Sequence, residues 1–322
     1  MIVVWRVTQN CNLSCPFCGY DRRLTWPRRE ANPDQLFRFG AVLSDYQRAT
    51  GNRVLVSWIG GEPLLWPPLT ELTVRFGSGF GLSVTTTTNG TPLASSSIRQ
   101  HLLDHYAELT ISVDGIGPVH DELRGWPGGY AALQENVTAL AEAKRAAAHG
   151  PRLRANVVLM RDTVDKFERL CLELANWGIE EITFNELGGN DRPDFHPGHR
   201  LLPEQADWLA TELPGLREHL AKHGVQLDGG KGYLRRIHAS TRNERIPIED
   251  CRPGAEFLFI NEQGRVAPCS FTAQGYGVPL EGVGSVEAIR RLPHRFTEAR
   301  RRQRLAPCED CHSTQVFEKF IS

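Results

Sequence analysis

Six short β-rich runs separated by helix-period segments constrain this chain more than any other feature. The runs are Ile2–Val7, Val54–Ile59, Leu82–Thr88, Glu108–Val113, Leu153–Met160 and Glu181–Leu187. Between them lie stretches such as Gln35–Arg48 and Tyr130–Ala148, whose apolar residues recur at helical spacing. Strand–helix alternation of this kind builds parallel βα units with right-handed crossovers. Six strands are too few for a closed eight-stranded barrel. An α/β fold remains, either a partial barrel or an open doubly wound sheet. In both, ligands gather at the C-terminal ends of the strands.

Those ends carry polar or glycine-rich punctuation. Thr8-Gln9-Asn10-Cys11 follows the first run, Gly60-Gly61-Glu62-Pro63 the second, Asn89-Gly90 the third and Asp114-Gly115 the fourth. Asn-Gly and Asp-Gly are common turn formers. Four polar ends on one predicted face exceed what turns alone require.

Later segments read differently. Residues 188–200 look like a loop, and Glu204–His223 like a helix. Phe257–Ile260 and Arg265–Ala267, with Gly264 between them, read as a β-hairpin, and Ser285–Leu292 as a short helix. The division expected is residues 1–200 for the strand–helix unit, 201–245 for a helical connector and 246–322 for a small α+β unit. The basic run Arg300–Arg304 reads as a solvated helix face.

Composition removes several classes of function. A net charge of −1 lacks the basic surplus of an electrostatic nucleic-acid binder. No apolar run approaches the ~20 residues of a membrane-spanning helix. The start of the chain shows no charged and apolar signal segment, so a reducing, cytoplasmic setting is expected. Eight cysteines in 322 residues are too sparse for a disulfide scaffold. Metal binding or catalysis is the better reading.

Cys11, Cys15 and Cys18 form CxxxCxxC in the loop after the first run. Three thiolates this close suit a soft metal or an iron–sulfur cluster. A closed zinc site wants four ligands, which a distant His or Cys would have to complete. On a 4Fe–4S cube, three thiolates leave one iron open to a non-protein ligand.

With Phe17 before the third cysteine, the motif resembles CxxxCxΦC, the signature of the radical S-adenosylmethionine (SAM) enzymes. Gly60-Gly61-Glu62-Pro63 resembles the GGEP motif of that family, Thr86–Gly90 its TNG segment, and Ser112-Val113-Asp114-Gly115 its SxDG strand end. The resemblance covers residues 1–190 and implies a partial (β/α)6 barrel. It implies that Cys11, Cys15 and Cys18 hold a 4Fe–4S cluster whose fourth iron SAM chelates. It implies SAM contacts from Phe17, Gly60, Gly61, Glu62, Pro63, Asn89, Ser112 and Asp114, with Tyr20 as a further contact near the adenine. The glycines are expected to admit SAM close to the backbone, and Glu62 to accept from its ammonium group. The reduced cluster would cleave SAM to a 5′-deoxyadenosyl radical, with a flavodoxin- or ferredoxin-type protein as electron donor.

Cys251, Cys269, Cys308 and Cys311 form a second set, the last two as CxxC. Four thiolates on a hairpin and a late turn suit structural zinc or an iron–sulfur cluster. Their arrangement resembles the truncated SPASM, or twitch, extension behind radical SAM barrels, which implies one auxiliary 4Fe–4S cluster. Cys171 shares one helix face with Phe167, Leu170 and Leu174 and reads as a core thiol.

An auxiliary cluster beside the substrate would accept an electron and make the outcome an oxidation. Epimerisation would instead need a free thiol as hydrogen donor, and only Cys251 could be spared. The expected reaction is therefore oxidation of a secondary alcohol on a sugar or aminocyclitol. The alternatives are epimerisation or decarboxylation of a natural-product intermediate, or modification of a ribosomal peptide. A small polar substrate comes first because no peptide-recognition segment precedes Cys11; a short peptide comes second. Intact motifs argue against a non-enzymatic iron–sulfur scaffold. Strand parity places Arg154, Asn156 and Val158 on one face, so Arg154 and Asn156 are expected to contact SAM or substrate. Glu186, at the end of the sixth run beside Asn185, is a candidate base. Tyr233, Arg235 and His238 are candidates for the gap between the two units, and His120 for a loop beside the SxDG motif.

Overall fold

The structure, a computed structural model, describes residues 1–189 and 191–320. Asn190, within the expected loop, lies outside the described residues. The chain forms one twisted sheet of β1 (Ile2–Thr8), β2 (Leu55–Gly60), β3 (Ser83–Thr88), β4 (Glu108–Ser112), β5 (Arg152–Leu159), β6 (Glu181–Glu186), β7 (Gln226–Leu227), β8 (Phe257–Ile260), β9 (Arg265–Ala267) and β10 (Val278–Pro279). Their order is β10-β9-β8-β1-β2-β3-β4-β5-β6-β7. Strands β1 to β6 run in sequence order and in parallel, as the alternation requires. This is the α/β partial barrel that the sequence led us to expect.

Local chemistry sets the helices between them. Asn32 caps the helix Pro33–Thr50 by accepting from the Asp34 and Gln35 amides, and Gly51, at φ 71°, ends it. The helices cover the face of the sheet that carries Val3, Trp5 and Val7. Trp5 meets Phe39 edge to face at 5.8 Å, and both are buried. Cys171 is buried on the helix Phe167–Asn176, as its spacing suggested.

Strand β8 pairs in parallel with β1, so the late hairpin extends the barrel sheet and the sheet crosses the boundary expected near residue 246. Val4 and Ile59 on the inner face pack against Phe259 and Ala267 of the hairpin. The inner face of β4 to β6 is polar instead. The helix expected over Ser285–Leu292 runs from Val286 to Arg302, through Pro293. Ile289, Leu292 and Phe296 bury one continuous face across the proline, which offsets its lost hydrogen bond of ~3 kcal/mol. Among the described residues no helix is long and apolar enough to cross a membrane.

Candidate functional site

The loop after β1 and the turn after β2 are stitched together. Gly61 N–H donates to Thr8 O at 2.9 Å, and Glu62 N–H to Asn10 O at 2.8 Å. A Cβ on Gly60 would lie 2.3 Å from Thr8 O, and one on Gly61 only 2.1 Å from Asn10 O. The two glycines therefore admit the cysteine loop itself, a role the motif alone did not reveal. Pro63 opens the short 3-10 turn Pro63–Leu65.

Glu62 is fully buried. Its carboxylate accepts from Thr88 Oγ1 (2.9 Å), Leu64 N (3.1 Å) and Asn89 N (2.6 Å), binding the ends of β2 and β3 together. Burial nevertheless pushes its carboxyl up to about 7. Asn89 Nδ2 reaches Asn12 Oδ1 at 2.9 Å and the Cys11 sulfur at 3.7 Å.

All three thiols of the loop are pushed up by burial, Cys18 to about 12. The Tyr20 amide points at the Cys18 sulfur from 3.3 Å. Cys15 feels the charge of Cys11, and Cys18 that of both. The cation that opposes this rise at all three thiols is Arg124, which the sequence reading missed. Its guanidinium stands 2.6 Å from Asp114, lies over the Phe17 ring at 5.6 Å and holds down the Cys15 thiol. Asp114 is fully buried, and its other oxygen accepts from Val158 N at 2.8 Å. It locks the rim of β4 to β5 and is closed to solvent. Gly125, at φ 60°, presses against Ser14, and so seats Arg124 on the cysteine loop. His120 is buried against this rim. Its Nδ1 accepts from Asp114 N at 3.3 Å, and burial pushes its imidazole down to about 3.

Phe17 also packs 6.3 Å from Phe195 of the loop after β6. Arg192 of that loop pairs with Asp21 at 3.3 Å. The loop thus covers the cysteine loop and continues to a second cavity.

That cavity, of about 640 Å³, lies between the end of β6 and the C-terminal cysteines. Its wall includes Asn185, Glu186, Tyr233, Arg236, Cys269 and His312. Glu186 stands 3.8 Å from His312 and raises its imidazole pKa. Tyr233 is buried, and its hydroxyl donates to Asn185 Oδ1 at 3.3 Å. Arg236, one helical turn on, is buried and pairs with Asp310 at 2.5 Å. Arg235 is exposed, and His238 pairs with Asp207 at the surface, so neither reaches the gap as expected. Helical spacing from Tyr233 would have selected Arg236.

Cys251, Cys269, Cys308 and Cys311 share one region. The Cys311 thiol feels the charges of the other three, and burial pushes Cys251, Cys269 and Cys311 up. Among the described residues all eight cysteines are free thiols. The run Arg300–Arg304 is more than a solvated face. Arg300 donates to the Glu249 and Ile248 carbonyls, and Arg304 to Cys308 O at 3.1 Å. These contacts tie the Cys251 segment to the late cysteine turn.

The polar inner face divides by height. Arg154 faces inward as parity required, but it pairs with Glu108 at 3.0 Å and with Glu181, the first residues of β4 and β6. It belongs to the floor of the barrel, because its register partners are Thr110 and Glu181, below the rim. Asn156 sits one layer higher, in register with Ser112. Lys319 enters here from the C-terminal segment and is buried. Desolvation pushes its ammonium pKa down to about 7.

The radical SAM superfamily model matches residues 5–174. The chain belongs to the radical SAM superfamily. It is 31% identical to a PqqA peptide cyclase of Ruegeria pomeroyi over 82% of this chain and 66% of that protein. It is 24% identical to an AdoMet-dependent heme synthase of Oleidesulfovibrio alaskensis over 84% of this chain and 69% of that protein. Among solved structures, anSMEcpe with bound AdoMet and Kp18Cys peptide matches at a TM-score of 0.66, 14% identity, 98% of this chain and 88% of that one. That likeness concerns the fold.

Radical SAM membership brings SAM and one 4Fe–4S cluster. The residues present fit them. Cys15 is buried and Cys11 and Cys18 are half-buried, and once deprotonated three clustered thiolates would carry negative charge that bound iron would neutralise. Glu62 is buried, its carboxyl is pushed up toward neutrality, and it makes no ion pair among the described residues, so it is complementary to an ammonium group.

Proposed function

We propose that this radical SAM enzyme oxidises a substrate held in the 640 Å³ cavity, with the C-terminal cysteines as ligands of an electron-accepting cluster. The observation that carries the reading is that Cys269 lines the same cavity as Glu186, at the end of a barrel strand. Bound SAM and its cluster supply a hydrogen-abstracting radical, and a second cluster supplies an electron sink. Cys11, Cys15 and Cys18 would hold the first cluster, and Cys251, Cys269, Cys308 and Cys311 the second, in a twitch-like unit over residues 246–322. Phe17 would flank the first site, and Ser112 and Asn156, in register on β4 and β5, would contact SAM. Glu186, with His312 beside it, is placed to take the proton that leaves an oxidised alcohol, amine or thiol. A flavodoxin- or ferredoxin-type protein would deliver the reducing electron.

A short peptide is the first substrate class, supported by the PqqA peptide cyclase at 31% identity. A small polar alcohol is the second. The cavity volume supports it, since small-molecule sites run to ~300–1,000 Å³.

Anaerobic reconstitution tests the reading. The protein should hold about eight irons, four per cluster. Cys308→Ala with Cys311→Ala should halve the iron, keep SAM cleavage and stop product formation. Product should weigh two hydrogens less than substrate, with one SAM consumed per turnover. A product of unchanged mass in ordinary water that gains one deuterium in heavy water would mean epimerisation and overturn the reading.

A further inference from the structure

Lys319 lies far from every motif in sequence, yet its side chain reaches the polar inner face of β5 and β6. Its Nζ donates to Asn156 Oδ1 at 3.1 Å and to Asn185 Oδ1 at 2.9 Å. Asn156 Oδ1 receives two more donors, Thr183 Oγ1 at 3.1 Å and Asn185 Nδ2 at 2.9 Å. In its charged form Lys319 can only donate, so both amide oxygens then face it. That fixes which way each amide points. Asn185 is then satisfied at both ends, with Tyr233 as a second donor to its oxygen. Asn156 is left with its Nδ2 unused among the described residues, on the strand position in register with Ser112 at the barrel rim.

The segment that carries Lys319 is well anchored. Glu318 O accepts from Gly230 N at 3.0 Å, Phe317 is buried in the core, and Phe320 lies over Arg154 at 5.6 Å. The cost of burying an ammonium is considerable even when hydrogen bonds compensate it. A purely structural plug would be cheaper as leucine or methionine.

We propose that Lys319 is a positioning residue for SAM: it orients Asn156 so that Nδ2 donates to an oxygen of SAM bound over the barrel mouth. Without it the Asn156 amide is free to turn, and an acceptor can face an acceptor.

The test uses full-length, cluster-loaded protein and SAM as the probe. Lys319→Met keeps the length and apolar stem but removes the donor. It should bind iron as the parent does and raise the SAM dissociation constant about tenfold, a change of ~1.4 kcal/mol. Asn156→Ala should weaken SAM by a similar factor, and adding Lys319→Met to it should cost nothing more, because Lys319 acts through Asn156. Parent-like SAM affinity in Lys319→Met overturns the proposal. So does a loss that persists undiminished in the Asn156→Ala background. Should Lys319→Met fail to hold iron, Asn156→Asp decides, since it keeps an acceptor for Lys319 and removes the donor. Weakened SAM binding in Asn156→Asp supports the proposal, and parent-like binding overturns it.

Discussion

Arg124 holds Asp114 at 2.6 Å, and both side chains are shut away from water at the rim of β4. Because the same guanidinium lies over Phe17 and holds down Cys15, one ion pair joins the strand end to the cysteine loop. Arg124→Leu strands the Asp114 carboxylate and should cost about 3–5 kcal/mol. Asp114→Asn combined with Arg124→Leu should recover part of that loss. Denaturant unfolding of the cluster-free protein measures both, and a loss in Arg124→Leu below ~1 kcal/mol would place the pair outside the energetics of the rim.

His120 makes stability sensitive to acid. Its imidazole titrates near 3 when folded, against 6.5 for an ordinary histidine. The unfolded chain therefore binds a proton below 6.5 that the folded chain refuses, and stability falls as pH drops through that window. Between pH 7 and pH 5 the share of His120 is up to about 2 kcal/mol. His120→Gln, which keeps an acceptor for the Asp114 amide, should flatten the decline. Thermal melts at the two pH values compare the slopes, and equal slopes would exonerate His120.

Glu62 works in the opposite sense. Its folded carboxyl titrates near 7 instead of 4.5, so the folded state holds a proton that the unfolded state has released. Its contribution is full below 4.5 and is lost as pH rises through 7. In cluster-free protein, Glu62→Gln should remove that decline. In loaded protein the same variant should bind SAM about tenfold more weakly, through loss of a charge-assisted bond of ~1.5–3 kcal/mol. Titration calorimetry with SAM reads the second effect directly, and unchanged affinity would detach Glu62 from the ammonium.

Gly61→Ala drives a methyl group into Asn10 O and the Cys11 loop. Overpacking of this kind costs about 1–3 kcal/mol. The expected outcome is a folded protein with a circular dichroism spectrum like the parent but reduced iron uptake at the first cysteine set. Full iron loading together with parent stability would show that the loop moves aside freely.

Much of this was legible in sequence where one local rule sufficed. β-rich runs marked β1 to β6 to within a residue or two, and Gly264, at φ 70°, marked the hairpin turn. The four strand-end motifs do converge, because parallel strands point their C-terminal ends the same way. What escaped was tertiary. No local pattern links Arg124 to Asp114, or Lys319 to Asn156, since those contacts depend on how far a helix or tail reaches back. Arg154 was placed on the correct face but at the wrong height. Parity gives the face, whereas height depends on the register with Thr110 and Glu181. Gly60 and Gly61 were read as clearance for a ligand, while the nearer neighbour is the chain's own backbone.

Strand β8 completes the sheet by lying against β1, the first strand made, although Phe257 is synthesised long after Thr8. At ~5–20 residues per second, that interval is on the order of tens of seconds. Throughout it, one edge of β1 has no partner and presents an unsatisfied row of backbone donors and acceptors. Val4, destined to pack on the hairpin, is uncovered for the same time. Expression yield should therefore be governed by how well a nascent chain is kept from pairing that edge with another copy. Slower synthesis or scarce chaperone should lower soluble protein before any change in the finished fold can be measured.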